Sequence, residues 1–264
     1  MNLFVLIFEL FVVSLQAEKP FKQHKTMKKT TCIIALLFAA IVCYGQSNHY
    51  LTKEEAPHDT VFMGAPPAFG SLLFEQDFHM YQYGKTLRPT PRGQQAVKDA
   101  DTSAGSVLEG FSEAFGMTLS KENTPEIYKL IARMKEDAGS YATRCTKNFY
   151  KRTRPYALYN EPTAVPEAEE GLRNNGSYVS GHSAIGVAVS MVLATINPER
   201  QDQLFKRGLD FGESRWIVGF HHYSDVKAGQ MVGALVLPAL LNNAEFMEQL
   251  AKAKAEFARL KAGK

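Results

Sequence analysis

Residues 180–196 read SGHSAIGVAVSMVLATI. From His182 to Ile196 the run is nearly all apolar, which predicts a central buried helix rather than an amphipathic surface one. It is too short to cross a bilayer, for which about 20 apolar residues are needed. Ser180 followed by Gly181 ahead of such a run reads as a helix start, whose free N–H groups favour an anion. Pro198 closes the element. No stretch of the chain alternates convincingly enough to be a strand. The expected fold is therefore all-α, a helical bundle with an anion site at helix ends.

Two further stretches work outward from that core. Gly212 to Asp225 reads GESRWIVGFHHYSD, with Arg215, then His221 six places on, then Asp225 four beyond. A neutral imidazole can attack phosphorus through one ring nitrogen if the other gives its proton to a carboxylate. Asp225 stands at the right distance for that carboxylate, and Arg215 offers a permanent positive fork for phosphate oxygens. Alone, the same residues fit a His and an Asp capping a turn. Upstream, KNFYKRTRP carries Lys147 and Arg154, seven residues apart, with Pro155 following. Seven residues is about two helical turns, so both cations can point to one side. Three cations, two histidines, one Asp and a helix N-terminus make a set that few sites other than a phosphate site need.

The ordered pattern Lys147–Arg154–Pro155, Ser180–Gly181–His182, Ser214–Arg215–His221–Asp225 resembles the signature of the phosphatidic acid phosphatase type 2 / vanadium haloperoxidase superfamily. The flanks TPRGQQAVKDAD, FSEAFG, TPEIYKL, EDAGSYATR, NGSYVSGHSAIG and INPERQDQLFKRGLDFGESR are similar to the bacterial class A non-specific acid phosphatases, from about Gly64 to about Leu260. Val179 stands where that family usually has Pro, and Ser183 where Thr is common, which keeps the hydroxyl. His222 follows His221, but only His221 has the spacing to both Arg215 and Asp225.

The resemblance implies a broad-range acid phosphatase working through a phosphohistidine. His221 would be the nucleophile, Asp225 its orienter, and His182 the acid and then the base. Lys147, Arg154, Arg215, Ser180 and the Gly181 N–H would hold the phosphate oxygens. Glu136 would lie near the substrate, with Ser183 in a supporting or rim position. No metal or other cofactor is implied, because the three cations do the charge work of a metal; vanadate, molybdate and tungstate would inhibit as phosphate mimics. Substrates would be small phosphomonoesters such as nucleotides, sugar phosphates or aryl phosphates, and the assembly an oligomer built on dimers. The competing readings are a vanadate-dependent haloperoxidase sharing the anion cage, a membrane lipid phosphatase, and a non-catalytic phosphate-binding protein. The class A flanks weigh against the first, the lack of a spanning run in the mature chain against the second, and the histidines against the third.

Composition agrees with a globular chain: 264 residues, 45% hydrophobic and 22% charged. Five of the 30 Lys and Arg and two of the 27 Asp and Glu lie in residues 1–45, so the rest is neutral overall. It offers no basic field for a nucleic-acid polymer. Met27-Lys28-Lys29, the apolar Cys32–Val42 and the small residues before Gln46 read as an export signal with cleavage after Gly45. On that reading translation starts at Met27, residues 1–45 are leader, 46–68 an extended lead-in and 69–264 one α-helical domain, periplasmic or secreted. No stable membrane insertion is expected. Cleavage removes Cys32 and Cys43, leaving Cys145 without a disulfide partner; a lone Cys on a helix reads as a small buried hydrophobe.

Helices are expected over Ser71–Leu87, Gly93–Ala100, Ser106–Phe115, from a Thr124 N-cap to about Lys151 with a break near Gly139, Arg200–Val218, Asp225–Leu241 with Ser224 as N-cap, and Glu245–Lys261. Glu136 and Asp137 also fit surface acids. Tyr156–Asn175 is the longest irregular stretch and sits where a rim over the site belongs.

Overall fold

The computed structural model of the chain describes residues 47–263. The export signal, the Met27 start, the cleavage after Gly45, and Cys32 and Cys43 lie outside the described residues. Among those described there is no strand, and the chain is an all-α bundle. The longer helices are α2 (Leu72–Leu87), α3 (Pro91–Lys98), α4 (Ala104–Phe115), α5 (Pro125–Glu136), α9 (Gly181–Ile196), α10 (Gln201–Val218), α11 (Tyr223–Leu241) and α12 (Ala244–Ala262). Short helices fill the gaps: α1 (Asp59–Phe62), α6 (Arg144–Tyr150), α7 (Pro155–Tyr159) and α8 (Glu169–Leu172). The Tyr156–Asn175 stretch is thus less irregular than its prolines and glutamates suggest.

The helix α9 is the axle. Ala184, Ala188, Val189, Val192 and Leu193 are buried on it, against Leu204 and Phe211 of α10, Val232 and Val236 of α11, and Ile131 and Met134 of α5. Each buried Val, Leu, Ile, Phe or Met side chain of this set contributes about 1.5–3 kcal/mol. The neighbours approach to backbone distance. A Cβ on Gly208 would stand 2.6 Å from the Gly186 carbonyl oxygen, and one on Gly229 would stand 2.2 Å from that of Ser180.

Helix ends follow local chemistry where a side chain is free to cap. Ser71, Thr90, Ser103, Ser180 and Asn243 each accept an N–H of the first turn, and Gly116 ends α4 at φ 80°. Two ends differ from expectation. Thr124 caps α5 by position only; the N–H groups of Glu126 and Ile127 are taken instead by the buried Glu256 carboxylate of α12, at 3.1–3.2 Å. A distant carboxylate complements the helix dipole as well as a local hydroxyl does. Ser224 is not an N-cap: α11 starts two residues earlier, after His222, and the Ser224 N–H and hydroxyl both donate to Asp77 at 2.7 Å.

The break near Gly139 is a π-helical turn over Asp137–Tyr141. Asp137, which fits a surface acid, is fully buried and accepts the Tyr50 and Leu51 N–H groups at 2.9 and 3.1 Å. The segment before α1 is thereby tied to the bundle. The extra π residue lets Gly139 lie against Gly181, where a Cβ on Gly181 would come 2.6 Å from the Gly139 carbonyl oxygen. Insertions of this kind recur at functional sites.

Gly208→Ala tests the close crossing of α9 and α10. Helix propensity alone would make Ala the more stable residue by about 1 kcal/mol. The clash is with backbone and with Ser190, which cannot swing away. Overpacking of about 1–3 kcal/mol should outweigh that gain, leaving a net loss of up to about 2 kcal/mol, and the melting temperature should fall by up to about 8 °C. A variant that melts higher than wild type would show that the helices have room to part.

Candidate active site

A cavity of about 270 Å³ opens at the N-terminus of α9, lined among others by Glu136, Lys147, Arg154, Gly181, His182, Arg215 and His221. Larger clefts of about 350, 520 and 380 Å³ contain none of the residues singled out by the sequence.

The three cations reach the cavity from separate elements. Lys147 sits on α6, which ends at Tyr150; Lys151 then turns left-handed at φ 46° and the chain runs extended into Arg154. Lys147 and Arg154 therefore converge through a chain reversal, not through two turns of one helix. Pro155 holds Arg154 out of the helix that follows. Lys147 Nζ donates to the Gly176 carbonyl at 2.9 Å, and Arg154 Nε to those of Leu172 and Asn175 at 3.0 and 2.9 Å. The end of the Tyr156–Asn175 stretch is thus part of the site's wall. Arg215 is 1% exposed, and its Nε and Nη1 have no partner among the described residues. A buried guanidinium with free donors is costly unless an anion takes them.

Burial sets the protonation of the group. It pulls Lys147 down to about 7, helped by Arg154; it pulls Arg154 down to about 10, and Arg215, beside Arg154, down to about 9. Burial and Arg154 push His221 well below the usual imidazole range, and burial and Arg215 do the same to His182. The free site therefore favours the neutral form of both imidazoles.

His221 lies in the turn between α10 and α11. The N–H groups of Gly219, Phe220 and His221 all donate to the Arg215 carbonyl, at 3.2, 3.0 and 3.3 Å, and Gly219 takes φ 96° to allow it. The turn locks His221 to Arg215. His221 Nδ1 stands 3.5 Å from Asp225 Oδ2, and Nε2 stands 3.1 Å from Arg154 Nη1. A proton on Nδ1 leaves the lone pair of Nε2 on the cation side. Asp225 is fully buried; burial pushes its pKa up, but His221, Arg152 and His222 hold it well below the usual carboxylate range.

His182, the second residue of α9, has Nε2 3.0 Å from the Ala100 carbonyl and its ring stacked on Phe211. Ala100 is placed through its neighbour Asp99, which accepts the buried Ser214 hydroxyl at 2.6 Å. Ser180 caps α9 and accepts the Ser183 N–H and hydroxyl at 3.3 and 2.9 Å, so its own hydroxyl proton stays free. Ser183 is buried behind Ser180. Glu136 lines the cavity with its charge met by Lys135. His222 is turned away, with Nε2 on the Thr153 carbonyl at 3.0 Å. Cys145 is half-buried, 3.8 Å from His58, and not part of the cavity lining.

Three residues at the site escaped sequence reasoning. Ser177 donates to Asp225 Oδ2 at 2.5 Å, and Arg152 donates to Asp225 Oδ1 at 2.5 Å and to Asp77 at 2.7 Å. Arg152 lies within KNFYKRTRP, two places before Arg154; Asp77 lies on α2 and gives no local signal. Among the described residues no set of three or more His, Cys, Asp or Glu is grouped to hold a metal ion, and no helix is long and apolar enough to cross a membrane.

A family model described as the PAP2 superfamily matches residues 138–246. The chain is 48% identical to the non-specific acid phosphatase of Providencia stuartii, over 81% of this chain and 86% of that one. It is 38% identical to the non-specific acid phosphatase of Salmonella typhimurium, over 78% and 82%, and 32% identical to an acid phosphatase of Zymomonas mobilis, over 85% and 88%.

Anion binding should depend on the charge of Lys147. The charged form binds, and in the free site it is lost as pH rises through about 7. Sulfate, whose own charge is constant through neutral pH, should therefore bind more weakly above pH 7 and take up a proton as it binds. Where it saturates a hundredfold it should stabilise the fold by about 2.7 kcal/mol, and Arg215→Ala should abolish that gain. Calorimetry in buffers of different ionisation enthalpy measures both; pH-independent sulfate binding would contradict the charge assignment.

Proposed function

The chain belongs to the non-specific acid phosphatases of the PAP2 superfamily, and from that premise we propose that this phosphatase is exported and hydrolyses phosphate monoesters through a phosphohistidine on His221. Export is supported by the basic, apolar and small-residue run at 27–45. The covalent step is carried by one observation: His221 has its Nδ1 beside Asp225 and its Nε2 beside Arg154, among cations whose donors are partly free.

In the first step the Nε2 lone pair attacks phosphorus in line, a P–N bond forms and the bond to the leaving oxygen breaks. The three equatorial oxygens take hydrogen bonds from Lys147, Arg154, Arg215, the Ser180 hydroxyl and the Gly181 N–H, which stabilise the charge as it spreads. Asp225 stabilises the positive charge that develops on the imidazole. His182 gives its proton to the leaving oxygen. With Nε2 committed to the Ala100 carbonyl, Nδ1 is the nitrogen that transfers it. In the second step His182 takes a proton from water, the water oxygen attacks phosphorus, the P–N bond breaks and phosphate leaves. Vanadate, molybdate and tungstate would occupy the same donors as inhibitors, and small phosphomonoesters fit a cavity of this size.

The pKa directions predict an acid optimum. His221 must be neutral to attack, and its lowered pKa keeps it neutral to lower pH than an ordinary imidazole. His182 must be protonated, and its lowered pKa makes that state fade at lower pH. Both limbs of the profile move towards acid. The arriving phosphate anion opposes the cations that depress His182, so substrate itself favours the charged acid.

Rapid quenching under turnover should trap an acid-labile phosphoenzyme in wild type and none in His221→Ala. His182→Ala, given an aryl phosphate whose leaving group needs no proton, should release one equivalent of phenol and then stall, with turnover down about 10²–10⁴-fold. No trapped phosphoenzyme in wild type, or full turnover by His221→Ala, would overturn the mechanism.

A further inference from the structure

Behind the nucleophile, on the side away from the cavity, stands a chain of buried charges. Asp77 on α2 is 1% exposed, and every lone-pair direction it uses is taken from one cluster. Its Oδ1 accepts the Ser224 N–H at 2.7 Å, and its Oδ2 accepts the Ser224 hydroxyl and Arg152 Nη2, both at 2.7 Å. Arg152 Nη1 reaches onward to the Ser224 hydroxyl at 2.8 Å and to Asp225 Oδ1 at 2.5 Å. Asp225 Oδ2 then faces His221. The order is Asp77, Arg152, Asp225, His221. Neither Asp77 nor Arg152 lines the cavity.

Resting on the phosphohistidine reading of His221, we propose that Asp77 is a positioning residue of the reaction: through Arg152 it fixes the Asp225 carboxylate and keeps its negative charge available to the His221 imidazole.

The balance of charge explains why a second acid is needed. A guanidinium bound to Asp225 alone would cancel the charge that His221 needs when it turns positive. A second carboxylate on the same fork shares the guanidinium, and the cluster keeps a net charge of minus one beside the imidazole. Buried ion clusters are a costly way to hold helices together, and well-packed apolar side chains do it as well or better. The forked guanidinium also divides the work: one arm holds each acid, which a lysine ammonium cannot do with fixed geometry. Oδ1 of Asp225 is occupied by Arg152, so Oδ2 is the oxygen left for Nδ1 of His221, with Ser177 and the His222 N–H setting its direction.

Several charged and titratable groups surround the pair, among them Tyr178, which faces Asp225 and Arg152, and Tyr159, which faces Asp77 and Arg152. Lys147 and Arg154 face His221 from the cavity side and Asp225 from behind. Arg152, His222 and His221 face Asp225. Among the described residues, Asp77 is the only acid facing Arg152 other than Asp225. Removing it leaves an uncompensated cation that competes with His221 for Asp225.

The test is Asp77→Asn in the full chain, compared with wild type. kcat should fall about 10- to 100-fold, the usual loss when a supporting partner is removed. KM and the inhibition constant of inorganic phosphate should stay within about threefold, since the anion donors are untouched. The acid limb of the kcat/KM profile should move to lower pH by about one pH unit, because the freed cation disfavours the charged imidazole. A merely structural role would lower the melting temperature and leave that limb in place. Folded Asp77→Asn with wild-type kcat and an unmoved limb would overturn the proposal, as would a rise in KM and in the phosphate inhibition constant at unchanged kcat. If Asp77→Asn does not fold, Arg152→Lys takes its place: an ammonium that cannot bridge both acids with fixed geometry should lower kcat about 10- to 100-fold with KM and the phosphate inhibition constant within about threefold, and wild-type kcat in the folded variant would overturn the proposal. Quenched-flow separates this from failure of the mechanism: wild type forming phosphohistidine at full rate while the variant forms it slowly supports the role of Asp77, whereas wild type forming none removes the premise.

Discussion

Enclosing three cations in one small cavity is the constraint from which the rest of the structure follows. Burial raises the cost of each charge and depresses Lys147, Arg154 and Arg215 from their ordinary pKa values, and repulsion by Arg154 lowers Lys147 and Arg215 further. The carboxylate in the cavity lining, Glu136, is paired with Lys135, and Asp225 and Asp99, outside the lining, offset the cost only in part. The cations are held there by backbone: Gly176, Leu172, Asn175 and Phe220 offer carbonyls to Lys147 and Arg154. The packing of α9 between α10 and α11 then has to be tight enough to resist the repulsion, and the Gly186–Gly208 and Ser180–Gly229 approaches are the form that tightness takes. On the proposed function, an entering oxyanion would relieve that repulsion, so the affinity would come from the fold rather than from any one contact.

Much of this was legible in the sequence, and the reason is local. The α9 run announces its own burial, and Ser180 announces its start, because hydrophobic periodicity and capping act within a few residues. The choice of His221 over His222 as candidate rests on spacing to Arg215 and Asp225, and it is His221 that lines the cavity. What was not legible depended on residues far apart in the chain. Thr124 looks like a working N-cap, yet Glu256 takes its place; Ser224 looks like a cap, yet Asp77 holds it inside the helix. Lys147 and Arg154 converge, but by a reversal at Lys151 that no periodicity foretells. Asp137 reads as a surface acid and is buried because Tyr50 and Leu51 bring it two backbone donors.

The adjacent histidines show how far position outweighs residue type. His221 and His222 are both buried and both near Asp225, and burial lowers the pKa of both. Their ring nitrogens meet different surroundings. The Nε2 of His222 is spent on the Thr153 carbonyl, and its ring lies towards Phe74 and Tyr159, away from the cations. His222 serves the site through its backbone, whose N–H donates to Asp225 Oδ2 at 2.9 Å and so steadies the carboxylate that its neighbour uses. On the proposed mechanism the nucleophile needs its lone pair among the cations, and of these two rings it is His221 that has it, with Nε2 3.1 Å from Arg154. The turn decides which it is: three N–H groups gathered on the Arg215 carbonyl rotate position 221 into the cavity and position 222 out of it. Shifting that turn by one residue would exchange the two rings without changing the composition of the site, and the chemistry would go with the geometry.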